Sequence, residues 1–340
     1  MLAWAHRLTA YWFRPVLVMP VASPQRILVI AIGTTPDVIA ASAPIQYLHR
    51  QFSNAEITLV ASPSVAPLFE RLPGVVAVFP ADGNEKKYRF QPSSALLATL
   101  HSFAPELVVC ATENGAVLTD QIDAAWKLGV TTEWIDRQQR SGYLQQAFEP
   151  GTPWHKWFSG WEPRFDEPMF PYLPASEPER EWGGEQWQCS QGKRVLLLAN
   201  ATWKKYRSYW TLIAVRLQEA GYAPLLTIAR KEVEELPDEN YFVTDFDRFP
   251  RQLLAISAAA DAIIVSADLA AAIAVASGVP TARLGVSEPL WLSDSTHLLA
   301  WHNDPEFDIS ETLHYLEVLF SPQVIEPEST TETVPVNDQQ

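Results

Sequence analysis

The residues after the first strongly apolar run read GTTPDVIAASAPI (33–45) and place an aspartate, Asp37, where an amphipathic stretch begins. A carboxylate there suits a helix N-terminus, whose unpaired N–H groups and dipole favour negative charge. A carboxylate is also a residue type that can act as a general base. Helix capping and general-base chemistry are both open at this position. Glu113 follows a second apolar run, ELVVCAT (106–112). It either meets a substrate from the neighbouring loop or caps the helical run that starts at Leu118. In the second half, ANATWKKYRSYW (199–210) supplies Lys204, Lys205 and Arg207. Such cations suit an anionic ligand, and without one they are a solvated basic loop. Trp154, Trp157, Phe158 and Trp161 offer flat rings to a sugar face, or buried area to an interface.

Other chemistries lack their residues. The seven histidines form no HxxxH pair, and Cys110 and Cys189 stand far apart without a CxxC spacing. We therefore expect no metal, no cofactor and no disulfide framework, and a reducing cytoplasm as the compartment. Forty acidic against 25 basic residues give a net charge of −15, which opposes attraction to a phosphate backbone and excludes nucleic acid as the main partner. A 47% hydrophobic content over 340 residues is enough for buried cores and points to two domains.

The elements that would position these residues alternate as strands and helices, the pattern of parallel sheets with crossover helices. Strands are predicted at 26–33, 56–62, 75–80, 106–112 and 131–135, with helices over 37–52, 65–72, 93–103 and 118–128. After residue 192 the pattern restarts, with strands at 193–199, 224–229, 262–266 and 281–285 and helices over 208–220, 249–260 and 269–277. Near-continuous apolar strands imply burial on both faces. The expected fold class is therefore α/β, with two Rossmann-like, doubly wound parallel-sheet domains facing a cleft. The expected division is an extension at 1–25, a domain at 26–150, a connection rich in Pro and Trp at 151–192, a second domain at 193–320 and a disordered acidic tail at 321–340. Residues 1–18 read as a misassigned start or frayed extension whose amphipathic character suits a membrane surface. The apolar stretch 258–279 is interrupted by Asp261 and Asp268 and is not read as a membrane span.

Several short motifs in fixed order resemble glycosyltransferase family 9, the ADP-heptose:lipopolysaccharide heptosyltransferase-like enzymes of GT-B fold. These are Asp37 with Pro44 seven residues on, Pro73-Gly74-Val75 before a later strand, and Gly278-Val279-Pro280 followed by GVSEP (285–289). The resemblance covers roughly residues 26–320. It implies an inverting, metal-independent transfer of a sugar from a nucleotide-diphosphate sugar to an acceptor hydroxyl, in glycan or cell-envelope polysaccharide synthesis. Asp37 would be the catalytic base. Thr34, Thr35 and Glu113 would lie on the acceptor side, and Thr202, Lys204, Lys205, Ser266, Asp268, Ser287 and Glu288 on the donor side. The acceptor would be a glycan or a lipid-linked molecule, and the protein cytoplasmic or peripheral at the inner face of the membrane.

The resemblance has gaps. The family's donor loop reads approximately Gly-Asn-Asp-Ser/Thr-Gly-x-x-His-Leu. Aligned without gaps from Gly278-Val279-Pro280, this chain has Ala267 for the aspartate, Asp268 for Ser/Thr, Leu269 for the glycine and Ala272 for the histidine. Lys204 meets the family's lysine only after a one-residue shift. A catalytically inactive GT-B binding or interaction protein is therefore the rival reading.

Overall fold

The computed structural model describes residues 23–86, 89–130, 146–148, 158, 170–187, 191–199, 203–229, 241–244, 248–266, 269–284, 297–299 and 305–321. Outside them lie the predicted strand 131–135, the N-terminal extension, the tail beyond residue 321, and Trp154, Trp157 and Trp161.

The first sheet contains β1 (Arg26–Ala31), β2 (Glu56–Ala61), β3 (Val75–Pro80), β6 (Leu107–Cys110), β7 (Trp126–Val130) and β8 (Gln146–Phe148). All are parallel, in the order β3-β2-β1-β6-β7-β8. A small antiparallel hairpin, β4 (Gly83–Lys86) with β5 (Arg89–Pro92), is a separate two-stranded sheet whose Phe90 packs in the apolar cluster of Leu28 and Ile30. The second sheet repeats the plan with β9 (Arg194–Leu198), β10 (Ala223–Ala229), β11 (Tyr241–Thr244), β12 (Ala262–Ser266), β13 (Thr281–Leu284) and β14 (His297–Leu299). Its strands are again all parallel, ordered β11-β10-β9-β12-β13-β14. The strand order reverses between β1 and β6 in one sheet and between β9 and β12 in the other. In open α/β sheets these switch points leave a crevice at the carboxyl ends of the strands. The expected α/β class with two Rossmann-like sheets is what the chain adopts.

The helices are α1 (Thr35–Ala40), α2 (Ser42–Gln51), α3 (Ser94–Phe103), α4 (Ala116–Gln121), α5 (Glu177–Glu185), α6 (Trp203–Glu219), α7 (Pro250–Ala258), α8 (Leu269–Ala276) and α9 (Pro305–Phe320). Alternation along the strands divides the apolar side chains into layers. Leu28, Ile30 and Val108 face α3 and α4, and Val195, Leu197 and Leu226 face α6 and α9. The other faces of both sheets, with Ile27, Val29 and Ala31 on one side and Leu196, Leu198 and Val265 on the other, join a single apolar cluster that includes residues of α1, α2, α7 and α8. Helix α8 packs on α1, and α7 on the 3-10 turn Ala66–Phe69.

Several elements differ from the sequence reading. Residues 118–128 are not one helix: α4 ends at Gln121 and Trp126–Val130 is strand β7. The helix-favouring Lys127 and Leu128 are overridden by pairing with β6. Lys127, 8% exposed, donates to the Thr119 carbonyl at 3.1 Å, and a Cβ at Gly129 would come within 2.4 Å of Cys110 Cβ. The run 37–52 divides at Ala41 into α1 and α2, and 65–72 contracts to the 3-10 turn. The proline-rich connection contains a helix, α5, with Pro178 in its first turn, where the missing N–H costs nothing.

The segment 170–187 is stapled to both sheets' layers. Tyr172 N–H donates to Ser42 Oγ at 3.0 Å and Leu173 N–H to the Ala276 carbonyl at 2.7 Å. Arg251 on α7 donates to both oxygens of the Glu179 carboxylate and to the carbonyls of Leu68 and Pro174. Phe158, 2% exposed, stacks on Tyr47 at 4.2 Å between centroids, so this ring of the aromatic cluster is packing.

Candidate active site

Strand β1 lies beside the switch point, and the chain leaving it runs Ile32-Gly33-Thr34 into α1. Two side chains hold this exit from either side. The Thr112 hydroxyl, at the end of β6, accepts from Ile32 N–H at 2.8 Å and donates to Ile32 C=O at 2.7 Å. The Ser62 hydroxyl, at the end of β2, accepts from Gly33 N–H at 3.0 Å and donates to Gly33 C=O at 3.1 Å. Each hydroxyl takes the place of a ladder neighbour where the strands have ended, so the backbone polar groups of this exit are satisfied without further strand.

Thr34 is the N-cap of α1, Pro36 is buried, and Asp37 occupies the third helical position. Asp37 is exposed, and its Oδ2 accepts from Thr34 Oγ1 at 2.5 Å, a charge-assisted bond of the short kind. Asn114 Nδ2 and Asp37 Oδ2 would lie 3.7 and 3.8 Å from a Cβ built on Gly33, so the two side chains flank that glycine. Glu113 opens the 3-10 turn Glu113–Gly115 after β6, whose N-cap is Thr112, and the helix that follows has Gly115 at its N-cap and no side-chain cap. Glu113 is exposed, and partial desolvation of its carboxyl, followed by the Asp37 charge, raises it above the usual glutamate range. The structure thus brings Thr34 and Asp37 into contact, with Glu113 near enough for the Asp37 charge to act on its carboxyl, and Thr35, next in the chain, is half-buried. Ser62, Thr112 and Asn114 were missed in the sequence. The available signal was a hydroxyl residue just past the end of each strand neighbouring β1.

On the second sheet the register pairs Val265 with Leu198, which sets the ends of β9 and β12 side by side. Helix α6 starts at Trp203, so Lys204 and Lys205 are in its first turn after β9, and Ser266 is the last residue of β12. Thr202, Asp268, Ser287 and Glu288 lie outside the described residues. Ala272, at the position of the family's histidine, is fully buried in α8. Two glycines of the motifs have backbone reasons. Gly74 adopts φ +83° and Gly278 φ +79°, left-handed conformations that other residues adopt at a cost.

No family model and no curated protein matches the chain. Solved structures do. A glycosyl transferase family 9 protein from Veillonella parvula aligns over 85% of this chain and 89% of its own, at a TM-score of 0.64 and 15% identity. The E. coli ADP-heptose lipopolysaccharide heptosyltransferase II aligns over 86% and 98%, at 0.62 and 16%. E. coli heptosyltransferase WaaC, solved with ADP, aligns over 86% and 99%, at 0.59 and 11%. The chain therefore has the GT-B fold of glycosyltransferases, in a form similar to the heptosyltransferase-like structures of family 9.

Proposed function

We propose that the protein is an inverting, metal-independent glycosyltransferase that moves a sugar from a nucleoside-diphosphate sugar to an acceptor hydroxyl in glycan or cell-envelope polysaccharide synthesis. The observation that carries this reading is Asp37: an exposed carboxylate on the first turn of α1, beside the switch point, on a backbone fixed by Ser62 and Thr112. A base for a bulky acceptor must be accessible and held still, and this one is both. Asp37 takes the acceptor hydroxyl proton as that oxygen bonds to the anomeric carbon, and the bond from that carbon to the diphosphate breaks from the opposite face. The diphosphate departs toward the N-terminus of α6, a 17-residue helix whose dipole favours anions there and whose first turn carries Lys204 and Lys205 in sequence. The domain of residues 26–150 handles the acceptor and that of 193–320 the donor. The acceptor, a glycan or a lipid-linked molecule, is met from the cytoplasmic side. No helix among the described residues is long and apolar enough to cross a membrane.

Buried Ala272 favours a second reading, a GT-B binding protein without transfer activity. Thermal unfolding with millimolar ADP, UDP and GDP separates the two. A donor site raises the midpoint with at least one nucleotide, and none doing so removes the enzyme reading. With a responsive nucleotide, Asp37→Asn keeps the midpoint shift and lowers transfer by about 10²–10⁴-fold. Full turnover in that variant places the base elsewhere.

A further inference from the structure

We infer that Thr34 is a positioning residue for the base: its hydroxyl holds one oxygen of Asp37 so that the other faces the acceptor. This rests on the reading of Asp37 given above and adds a residue to it. Thr34 is in the extended conformation of an N-cap, φ −67° and ψ 154°, from which a threonine hydroxyl ordinarily accepts from an N–H of the first turn. It makes no such bond. Pro36 has no N–H to offer, and the hydroxyl proton is directed at Asp37 Oδ2. A hydroxyl–carboxylate contact between two exposed side chains adds little to folding, since solvent competes for both partners. Its consequence is orientation: Oδ2 is engaged, and Oδ1 remains to receive a proton.

The surroundings make that orientation determinate. Thr34 follows Gly33 directly, and Gly33 is locked through both of its backbone polar groups by Ser62, as Ile32 is by Thr112. The Thr34 carbonyl accepts the first helical bond, from Val38 N–H at 3.0 Å. The Thr34 backbone is thus tied to the sheet on one side and to the helix on the other, and its hydroxyl reaches Asp37 from that fixed backbone.

The test uses the full chain as wild type, Thr34→Val, Thr34→Ser, Asp37→Asn and the Thr34→Val/Asp37→Asn double variant. Each is assayed for nucleoside diphosphate release from ADP-, UDP- and GDP-linked sugars with soluble oligosaccharide acceptors. Thr34→Val should lower kcat about tenfold with the donor KM unchanged, and Thr34→Ser should recover to within about twofold. In the Asp37→Asn background, Thr34→Val should cost nothing further, because the group it positions is gone. Wild-type kcat in Thr34→Val, no recovery in Thr34→Ser, or losses that multiply in the double variant would each overturn the assignment. Absence of release by the wild-type protein overturns the glycosyltransferase reading itself.

Discussion

The Thr112 hydroxyl closes both backbone polar groups of Ile32, at 2.8 Å from its nitrogen and 2.7 Å from its oxygen, across 80 residues of chain. Both residues are buried, at 6% and 3% exposure. Thr112→Val keeps the shape and leaves an N–H and a C=O unpaired away from water. Such groups cost about 1–3 kcal/mol each to strand, so the variant should lose about 2 kcal/mol or more in urea unfolding. Thr112→Ser retains the hydroxyl and should stay within about 1 kcal/mol of wild type. A Thr112→Val loss below about 0.5 kcal/mol would mean that water or a shifted backbone replaces the hydroxyl.

Glu179 joins the two halves electrostatically. Burial alone would raise its carboxyl. Hydrogen bonds from Arg251 and from the Ser176 N–H and hydroxyl outweigh that and hold it at about 2, against an ordinary value of 4.5. The folded value is depressed, so the stabilisation is complete above about pH 4.5 and is lost as pH falls toward 2. With the side chain only 20% exposed, the gap corresponds to about 3 kcal/mol. Glu179→Gln should lower Tm at pH 7 and converge with wild type toward pH 2. A Tm difference that is the same at pH 3 and pH 7 would show that the carboxylate charge is not what stabilises.

Much of the frame was legible because burial on both faces writes a strand as an unbroken apolar run. Ala262–Ser266 begins and ends where the sequence places it; the edge strand Val75–Pro80 does too, although it is only partly buried and Val76 is exposed. The reading failed where tertiary pairing overruled local preference, as at Lys127, whose long side chain reaches a carbonyl from inside the sheet. Helix α5 is not legible from its prolines, although Ser176-x-x-Glu179 is a capping pair in the sequence. Of the site, Asp37 was visible from its place after a strand. Ser62 and Thr112 were not, because a hydroxyl past a strand end is common and gains meaning only when β2, β1 and β6 prove to be adjacent.

Glu113 provides a test of how close the two carboxyls of the site stand in effect. The side chain is exposed, and its carboxyl is raised first by partial desolvation and then by the charge of Asp37, so solvent keeps the effect on stability small. For an acid, a raised folded value means that the native state holds the proton longer than the unfolded chain. Ionised Glu113 therefore opposes folding at neutral pH, and the penalty vanishes once pH falls below the ordinary value of 4.5. Glu113→Gln should raise Tm at pH 7 and leave it unchanged at pH 4. In the Asp37→Asn background the gain at pH 7 should shrink, since the neighbouring charge is gone, but persist in part, since burial remains. An undiminished gain in that background would show that burial alone raises Glu113, and that the two side chains are too far apart to act on one acceptor. A gain that disappears would show that the Asp37 charge, and not burial, is what raises the Glu113 carboxyl.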